Sequence, residues 1–344
     1  MRVIIYGAGG VGGTIGARLW QQGTQVVLIA RGAHLAALQA SGLRFVAPDG
    51  DFRLAIPAVA GPAEVEWRAG DVVILTMKSQ HTTDALETLA LSAPESIAVV
   101  CGQNGVANEE MALRRFANVY AMLVNLPASH LRAGEVVTYG EGTGGILDTG
   151  RYPEGVDDVV DELTGLLEQA GFSAQPDAAV MRKKYAKLLG NLGNSLQAAT
   201  TPAQIDQAAI GGVAAADADD MKSIGRMLRK EALACYAAAG IDCATRDEVR
   251  ARHEGTYRMV DVPGFPRVGG SSWQSIFRGT GNIETDYLNG EIVLQGRLHG
   301  VATPVNRALQ VAANRLAREG GRPGDLALAE LRSLVDETES AGAA

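Results

Sequence analysis

One run constrains this chain more than any other: Gly7-Ala8-Gly9-Gly10-Val11-Gly12, which directly follows the apolar tetrapeptide Val3-Ile4-Ile5-Tyr6. A helical pattern over Val11–Gln22 begins inside it. A GxGxxG run in isolation is weak, because glycine turns are common. At a strand–helix junction each glycine has a physical use. The first permits a tight turn, the second lets backbone approach a pyrophosphate, and the third allows close helix–strand packing. The helix N-terminus adds N–H groups aimed at the anion. The spacing therefore predicts a dinucleotide site built from Gly7, Gly9, Gly10, Val11 and Gly12.

The surrounding pattern agrees. Val26-Val27-Leu28-Ile29, Val72-Val73-Ile74-Leu75 and Ile97-Ala98-Val99-Val100 are short, continuous apolar runs, as strands buried on both faces require. Helical patterns at Ala33–Ser41, Thr82–Leu91 and Ala107–Phe116 alternate with them, the signature of a doubly wound parallel sheet. Pro48-Asp49-Gly50 predicts a turn between two short antiparallel strands, and residues 118–148 read as strand-rich. Beyond Gly171–Asp177 few strands are expected and four long helices are: Ala178–Thr200, Ala216–Ala239, Asn282–Leu298 and Pro304–Arg318. Thr303-Pro304 supplies a start signal for the last. The fold class read from this pattern is α/β, a Rossmann-type doubly wound sheet followed by an all-helical C-terminal domain. At 344 residues the chain suits two domains, placed at 1–175 and 176–320, with a Gly/Ala/Ser/Glu-rich tail over 321–344 expected to fray.

Composition excludes several classes. The formal net charge is -8, which argues against a broad nucleic-acid footprint. Cys101, Cys235 and Cys243 are odd in number and form no CxxC pair or Cys/His cluster, so no metal is expected and a reduced compartment fits. No stretch reaches the ~20 apolar residues of a membrane span, and no secretory leader is read at the start. The expectation is a cytoplasmic protein, monomer or homodimer.

Candidate ligand contacts follow from strand ends, because ligands in such sheets bind outside the carboxyl ends. After the second strand an NAD site usually has an acidic residue for the ribose hydroxyls; here stands Arg31, which can pair with a 2′-phosphate and so favours NADPH. Lys78, in Thr76-Met77-Lys78-Ser79, and Asn104, in Gln103-Asn104-Gly105, follow the third and fourth strands and face the same crevice. In the second half, Lys187, Asn191 and Asn194 or Ser195 share one helical stripe, while Leu188, Leu189, Leu192 and Leu196 cover much of the rest. A polar stripe on a largely apolar helix is expensive without partners. Gly190 and Gly193 each cost about 1 kcal/mol in a helix and suggest close approach of backbone or ligand. Arg182, Lys183 and Lys184 read as a solvated basic face. By pattern alone Asn282 is an N-cap with Glu284 and Asp286 as first-turn acids.

As an ordered set, these segments resemble the ketopantoate reductase (2-dehydropantoate 2-reductase) family. The set is the GxGxxG run with Arg31, Thr-Met-Lys78-Ser, Gln-Asn104-Gly105, Lys187-Leu-Leu-Gly-Asn191, Ser271-Ser272-Trp273-Gln274, Glu284-Thr-Asp-Tyr-Leu-Asn-Gly and His299-Gly-Val-Ala-Thr-Pro304. The resemblance implies NADPH-dependent reduction of a small 2-oxo acid, with Lys187 as proton donor to the ketone oxygen. It implies that Glu284 holds a substrate hydroxyl, that Ser272 touches the carboxylate, that Asn104 and Asn191 orient the substrate, and that Lys78 lies beside the nicotinamide; Ser195 is expected at the substrate from its place on the helical stripe alone. It also implies closure of two domains on both ligands. Leu123–Ala128, Asn194-Ser195-Leu196 and Gly145–Pro153 depart from the family pattern, so the expectation is poor ketopantoate reduction and preference for a related carbonyl compound. The alternatives are a 3-hydroxyacid dehydrogenase of the hydroxyisobutyrate type, whose glycine-rich run ahead of the lysine is missing at Met181–Ala186, and a non-catalytic NADP-sensing module.

Overall fold

The computed structural model describes residues 1–201, 215–267, 269–279 and 281–342. Its chain divides into two compact units, Met1–Lys184 with Ala244–Phe265, and Tyr185–Cys243 with Pro266–Ala344.

The first unit is built on a seven-stranded sheet. Five parallel strands form its body: β1 (Arg2–Tyr6), β2 (Val26–Ile29), β6 (Asp71–Leu75), β7 (Ala98–Cys101) and β8 (Asn118–Met122). β5 (Ala58–Val59) adds a parallel edge beside β2, and β12 (Thr149–Arg151) an antiparallel edge beside β8, giving the order β12-β8-β7-β6-β1-β2-β5. The period-2 geometry of strands divides each apolar run between two cores. Val3, Ile5, Leu28, Ile74 and Val100 point to one, against Ile15 and Leu19 of α1 (Gly10–Gln21) and Leu163 and Leu167 of α5 (Asp158–Gln169). Ile4, Ile29, Val73, Leu75 and Val99 point to the other, against Leu86 and Leu89 of α3 (Thr82–Ala90) and Ala112 of α4 (Asn108–Leu113). Continuous apolarity in the strands is thus the requirement of a sheet covered on both sides.

The predicted turn at Pro48-Asp49-Gly50 joins β3 (Leu43–Ala47) to β4 (Gly50–Leu54), antiparallel with Ala47 opposite Gly50. With β9 (Ala128–Ser129) and β10 (Glu135–Thr138) they make a second sheet, ordered β4-β3-β10-β9. α2 (Gly32–Ser41) follows β2 as expected.

α5 has a clear local cause that the hydrophobic pattern alone did not bring out. Asp157 caps it, its side chain accepting from Val160 N, and Val160, Leu163 and Leu167 form the buried stripe. The segment Ala244–Phe265 groups with the first unit, away from the helices that flank it in sequence. It carries α8 (Arg246–His253), opened by a capping box between Thr245 and Glu248, and β13 (Tyr257–Met259), which pairs antiparallel with β11 (Gly140–Gly142) of the first unit. The partner of β13 lies more than a hundred residues upstream, a pairing that local pattern does not encode.

Among described residues the second unit is helical: the remainder of α6 (Val180–Thr200), α7 (Ala215–Ala239), α9 (Ser271–Phe277), α10 (Asn289–His299), α11 (Pro304–Arg318) and α12 (Leu328–Gly342). Ala198, Trp273, Ile276, Ile283, Ala313 and Ala317 form one core cluster. The tail expected to fray contains α12, with Leu331 and Val335 buried. Gly300 ends α10 in the left-handed conformation, as a C-terminal glycine does. Asn282 is not a helix N-cap: a 3-10 turn spans Glu284–Tyr287, and α10 begins at Asn289.

Candidate active site

The glycine-rich loop has the geometry its sequence implies. Gly7 has φ +108, and a Cβ there would lie 2.7 Å from Met77 N. A Cβ on Gly12 would collide with Thr76 Oγ1, Gly7 O and Ile5 Cγ2, so only glycine lets α1 lie this close to β1 and the end of β6. A Cβ on Gly9 would meet nothing within 4 Å among the described residues, so the backbone there lies open. Gly10 and Val11 start α1, whose first-turn N–H groups lack intrahelical acceptors. The loop is braced by Thr76 Oγ1, donating to Gly7 O at 2.8 Å, and by His34. The latter accepts from Gly134 N at Nδ1 (2.9 Å), so Nε2 carries the proton and donates to Ala8 O at 2.7 Å. Burial holds its pKa below the usual imidazole value, which favours this neutral form. Arg31 is exposed at the end of β2, and no acidic side chain stands in its place.

The ends of β6 and β7 are tied into one network. Gln103 Nε2 donates to Met77 O (3.0 Å) and Thr82 Oγ1 (2.7 Å), Thr82 donates to Asn108 Oδ1 (2.8 Å), and Asn108 Nδ2 donates to Ser79 Oγ and Asn104 O, both at 3.2 Å. Lys78 and Asn104 are half-buried at these strand ends. Asn104 Oδ1 is buried with no hydrogen-bond partner among the described residues. Thr82 and Asn108, which organise this network, were not singled out from sequence, since a buried polar pair looks like any loop polar until its neighbours are known.

In the second unit α6 carries Lys187, Asn191 and Ser195 along one stripe, with Leu188, Leu189, Leu192 and Leu196 buried around it. Asn191 Nδ2 and Ser195 Oγ are buried without a partner among the described residues, as is Ser272 Oγ near the start of α9. α9 abuts α6 there, Gly270 N donating to Gln197 Oε1 at 3.3 Å. Buried polar atoms are nearly always paired, so three partnerless ones on two adjoining elements stand out. Among the described residues nothing lies within 4 Å of a Cβ built on Gly190 or Gly193, so of the expected backbone or ligand no backbone approaches them.

Glu284 is 5% exposed at the head of its 3-10 turn. That turn is fixed by a buried asparagine relay. Thr285 Oγ1 donates to Asn289 Oδ1 (3.3 Å), while Asn289 Nδ2 donates to Leu192 O (3.2 Å) and Asn306 Oδ1 (3.1 Å). Asn306 Nδ2 in turn donates to Glu231 Oε2 (2.7 Å). The Asn289 link to Leu192 places the Glu284 turn against the helix that carries Lys187.

Arg182, Lys183 and Lys184 are not a solvated face. Arg182 pairs with Glu248 (2.8 Å) and Lys183 with Asp148 (2.8 Å) and Asp177 (2.9 Å), while Lys184 is buried in an ion pair with Glu109. Asp148 also takes a bidentate bond from Arg252, at 2.9 Å from Nε and 2.6 Å from Nη2. Burial pushes the Asp148 carboxyl up, but these cations outweigh it and hold it below the usual carboxylate range. Among the described residues no group of His, Cys, Asp and Glu is arranged to hold a metal. No described helix is long and apolar enough to cross a membrane.

Two family models match the chain: ketopantoate reductase PanE/ApbA over residues 3–149, and ketopantoate reductase PanE/ApbA C terminal over residues 179–317. The chain is 26% identical over 321 residues to a 2-dehydropantoate 2-reductase of Halobacterium salinarum, an alignment covering 93% of this chain and 100% of the relative. Among solved structures, a PanE/ApbA family ketopantoate reductase from Ralstonia eutropha superposes with a TM-score of 0.74 at 26% identity, covering 93% of this chain and 99% of that one. D-mandelate dehydrogenase, in a ternary structure with NADH and anilino(oxo)acetate, shares the fold with a TM-score of 0.76 at 21% identity and the same coverage. The chain belongs to the ketopantoate reductase family, and with it to the nicotinamide-dependent oxidoreductases that act on CH–OH/C=O groups.

Proposed function

We propose that this protein reduces a small 2-oxo acid with NADPH, in the manner of 2-dehydropantoate and NADPH going to pantoate and NADP. The observation that carries this reading is the set of partnerless buried groups, Asn191 Nδ2, Ser195 Oγ and Ser272 Oγ, on the two elements beside Lys187. Two donors and an amide suit a ligand rich in oxygen acceptors, as a carboxylate next to a carbonyl is. Gly7, Gly9, Gly10, Val11 and Gly12 would hold the diphosphate, Arg31 the 2′-phosphate, and Lys78 and Asn104 the nicotinamide end. When bound, the cofactor supplies a hydride to the carbonyl carbon. Lys187 Nζ gives the ketone oxygen its proton and stabilises negative charge there as it develops. Ser272 and Ser195 donate to the carboxylate, Asn191 orients the carbonyl, and Glu284 accepts from a hydroxyl on the same substrate. The product is the 2-hydroxy acid.

The substrate's remaining portion is expected to differ from that of ketopantoate. Leu123–Ala128 and Asn194-Ser195-Leu196 depart from the family pattern, and an unpaired buried polar group costs about 1–3 kcal/mol, enough to shift preference by roughly ten- to a hundredfold. The test is NADPH oxidation across a panel of 2-oxo acids that includes 2-dehydropantoate and bulkier aryl compounds. Turnover of one or more supports the reading. A kcat/KM near ~10⁵ M⁻¹s⁻¹ with 2-dehydropantoate would remove the argument from the departures, and NADPH binding without turnover of any carbonyl would replace the enzyme with a sensor.

A further inference from the structure

Lys184 is a buried charge that the chemistry above does not use. It is 3% exposed and its partner Glu109, on α4, is fully buried. Besides that ion pair, Lys184 Nζ donates to the carbonyl of Gln103 at 3.0 Å and to that of Cys101 at 3.4 Å. An ammonium has three N–H donors, and here each has an acceptor. Both carbonyls lie at the carboxyl end of β7, where the Gln103-Asn104-Gly105 segment turns away, with Gly105 at φ +80. A buried Lys–Glu pair is not needed for stability, because well-packed apolar residues of similar volume generally serve as well. What the ammonium adds is direction. The Gln103–Asn104 peptide is planar, so a bond to the Gln103 oxygen fixes the orientation of the unit whose other end is Asn104 Cα. The Gln103 side chain is itself held, through Met77 O and Thr82 Oγ1. Asn104 Oδ1 is left buried and without a partner among the described residues.

We propose that Lys184, supported by Glu109, is a positioning residue for the reaction, tethering the Gln103 carbonyl so that the Asn104 side chain is presented to the bound ligands. The inference rests on the reading of Asn104 as a ligand contact. It predicts that the Lys184–Glu109 pair can be replaced without loss of fold but not without loss of rate.

The experiment compares K184M, K184M/E109L, N104A and the triple variant, using the 2-oxo acid turned over fastest in the panel. K184M alone leaves the Glu109 carboxylate buried and unpaired, and lowers the melting temperature. K184M/E109L regains it, yet kcat/KM stays about tenfold or more below wild type. N104A costs about tenfold in the wild-type background and less than about twofold in K184M/E109L, since residues acting through one another are not additive. Wild-type kcat/KM in K184M/E109L, or an undiminished N104A effect in that background, overturns the positioning role. An N104A variant as active as wild type removes the reading of Asn104, and the proposal with it. Should K184M/E109L fail to fold, the K184Q/E109Q pair is read by the same criteria.

Discussion

Ser272→Ala is expected to strengthen the ligand-free protein and weaken catalysis at the same time. Ser272 is the second residue of α9; it is 1% exposed and its Oγ has no hydrogen-bond partner among the described residues. Leaving a buried hydroxyl unsatisfied costs about 1–3 kcal/mol. Alanine removes that penalty at the price of a small void, for a net gain of about 1 kcal/mol, or roughly 2–4 °C in melting temperature. If the hydroxyl instead serves a substrate carboxylate, the lost bond is charge-assisted and worth about 1.5–3 kcal/mol. That corresponds to a fall of roughly 10- to 100-fold in kcat/KM. Ser275, one turn along the same helix and fully buried, is the internal control, because its Oγ donates to Ser271 O at 2.9 Å. Ser275→Ala loses a made bond and is expected to destabilise by about 1 kcal/mol. Thermal melts of the ligand-free variants and initial rates with the preferred 2-oxo acid decide the matter. A Ser272→Ala protein that melts lower than wild type while keeping its kcat/KM would refute the reasoning, since the hydroxyl would then be structural.

Three further outcomes are expected. Lys187→Ala lowers kcat by about 10²–10⁴-fold with little change in NADPH affinity, and near-normal turnover across pH 6–9 would move the proton to another group, with Lys78 the next to test. Arg31→Ala erases a preference for NADPH over NADH of roughly tenfold or more, read from the two dissociation constants; equal constants in the wild type would remove the role of Arg31. Asp148→Asn leaves Lys183 and Arg252 without their shared carboxylate and destabilises the first unit by about 3–5 kcal/mol in urea unfolding. Because the folded-state pKa of Asp148 is depressed, its contribution is complete above its unfolded value near 3.8 and is lost as pH falls through the folded one. Wild-type stability therefore declines below about pH 4 more steeply than that of the variant, and parallel profiles would count against the assignment.

The sequence by itself determined the features that arise from neighbours along the chain. Strands buried on both faces, the helix patterns between them and the glycine-rich junction are all local, so β1, β2, β6 and β7 lie within a residue or so of where apolar runs place them. The three glycines of the loop were legible for the same reason, their constraint coming from a turn and a helix joined directly.

Tertiary structure decided whatever depends on residues far apart. Arg182, Lys183 and Lys184 form one run of cations on paper, but Glu248, Asp148 and Glu109 reach them from 66, 35 and 75 positions away, and that pairing turns an expected solvated face into three ion pairs, of which Lys184–Glu109 is buried on both sides. The return of Ala244–Phe265 to the first unit depends on β13 finding β11, and the 3-10 turn at Glu284 depends on Asn289, Leu192 and Asn306 meeting. Periodicity reports which face of an element is apolar; it does not report what covers that face, nor which buried polar atoms go unpaired. At Asn104, Asn191, Ser195 and Ser272 that second kind of information comes from packing alone.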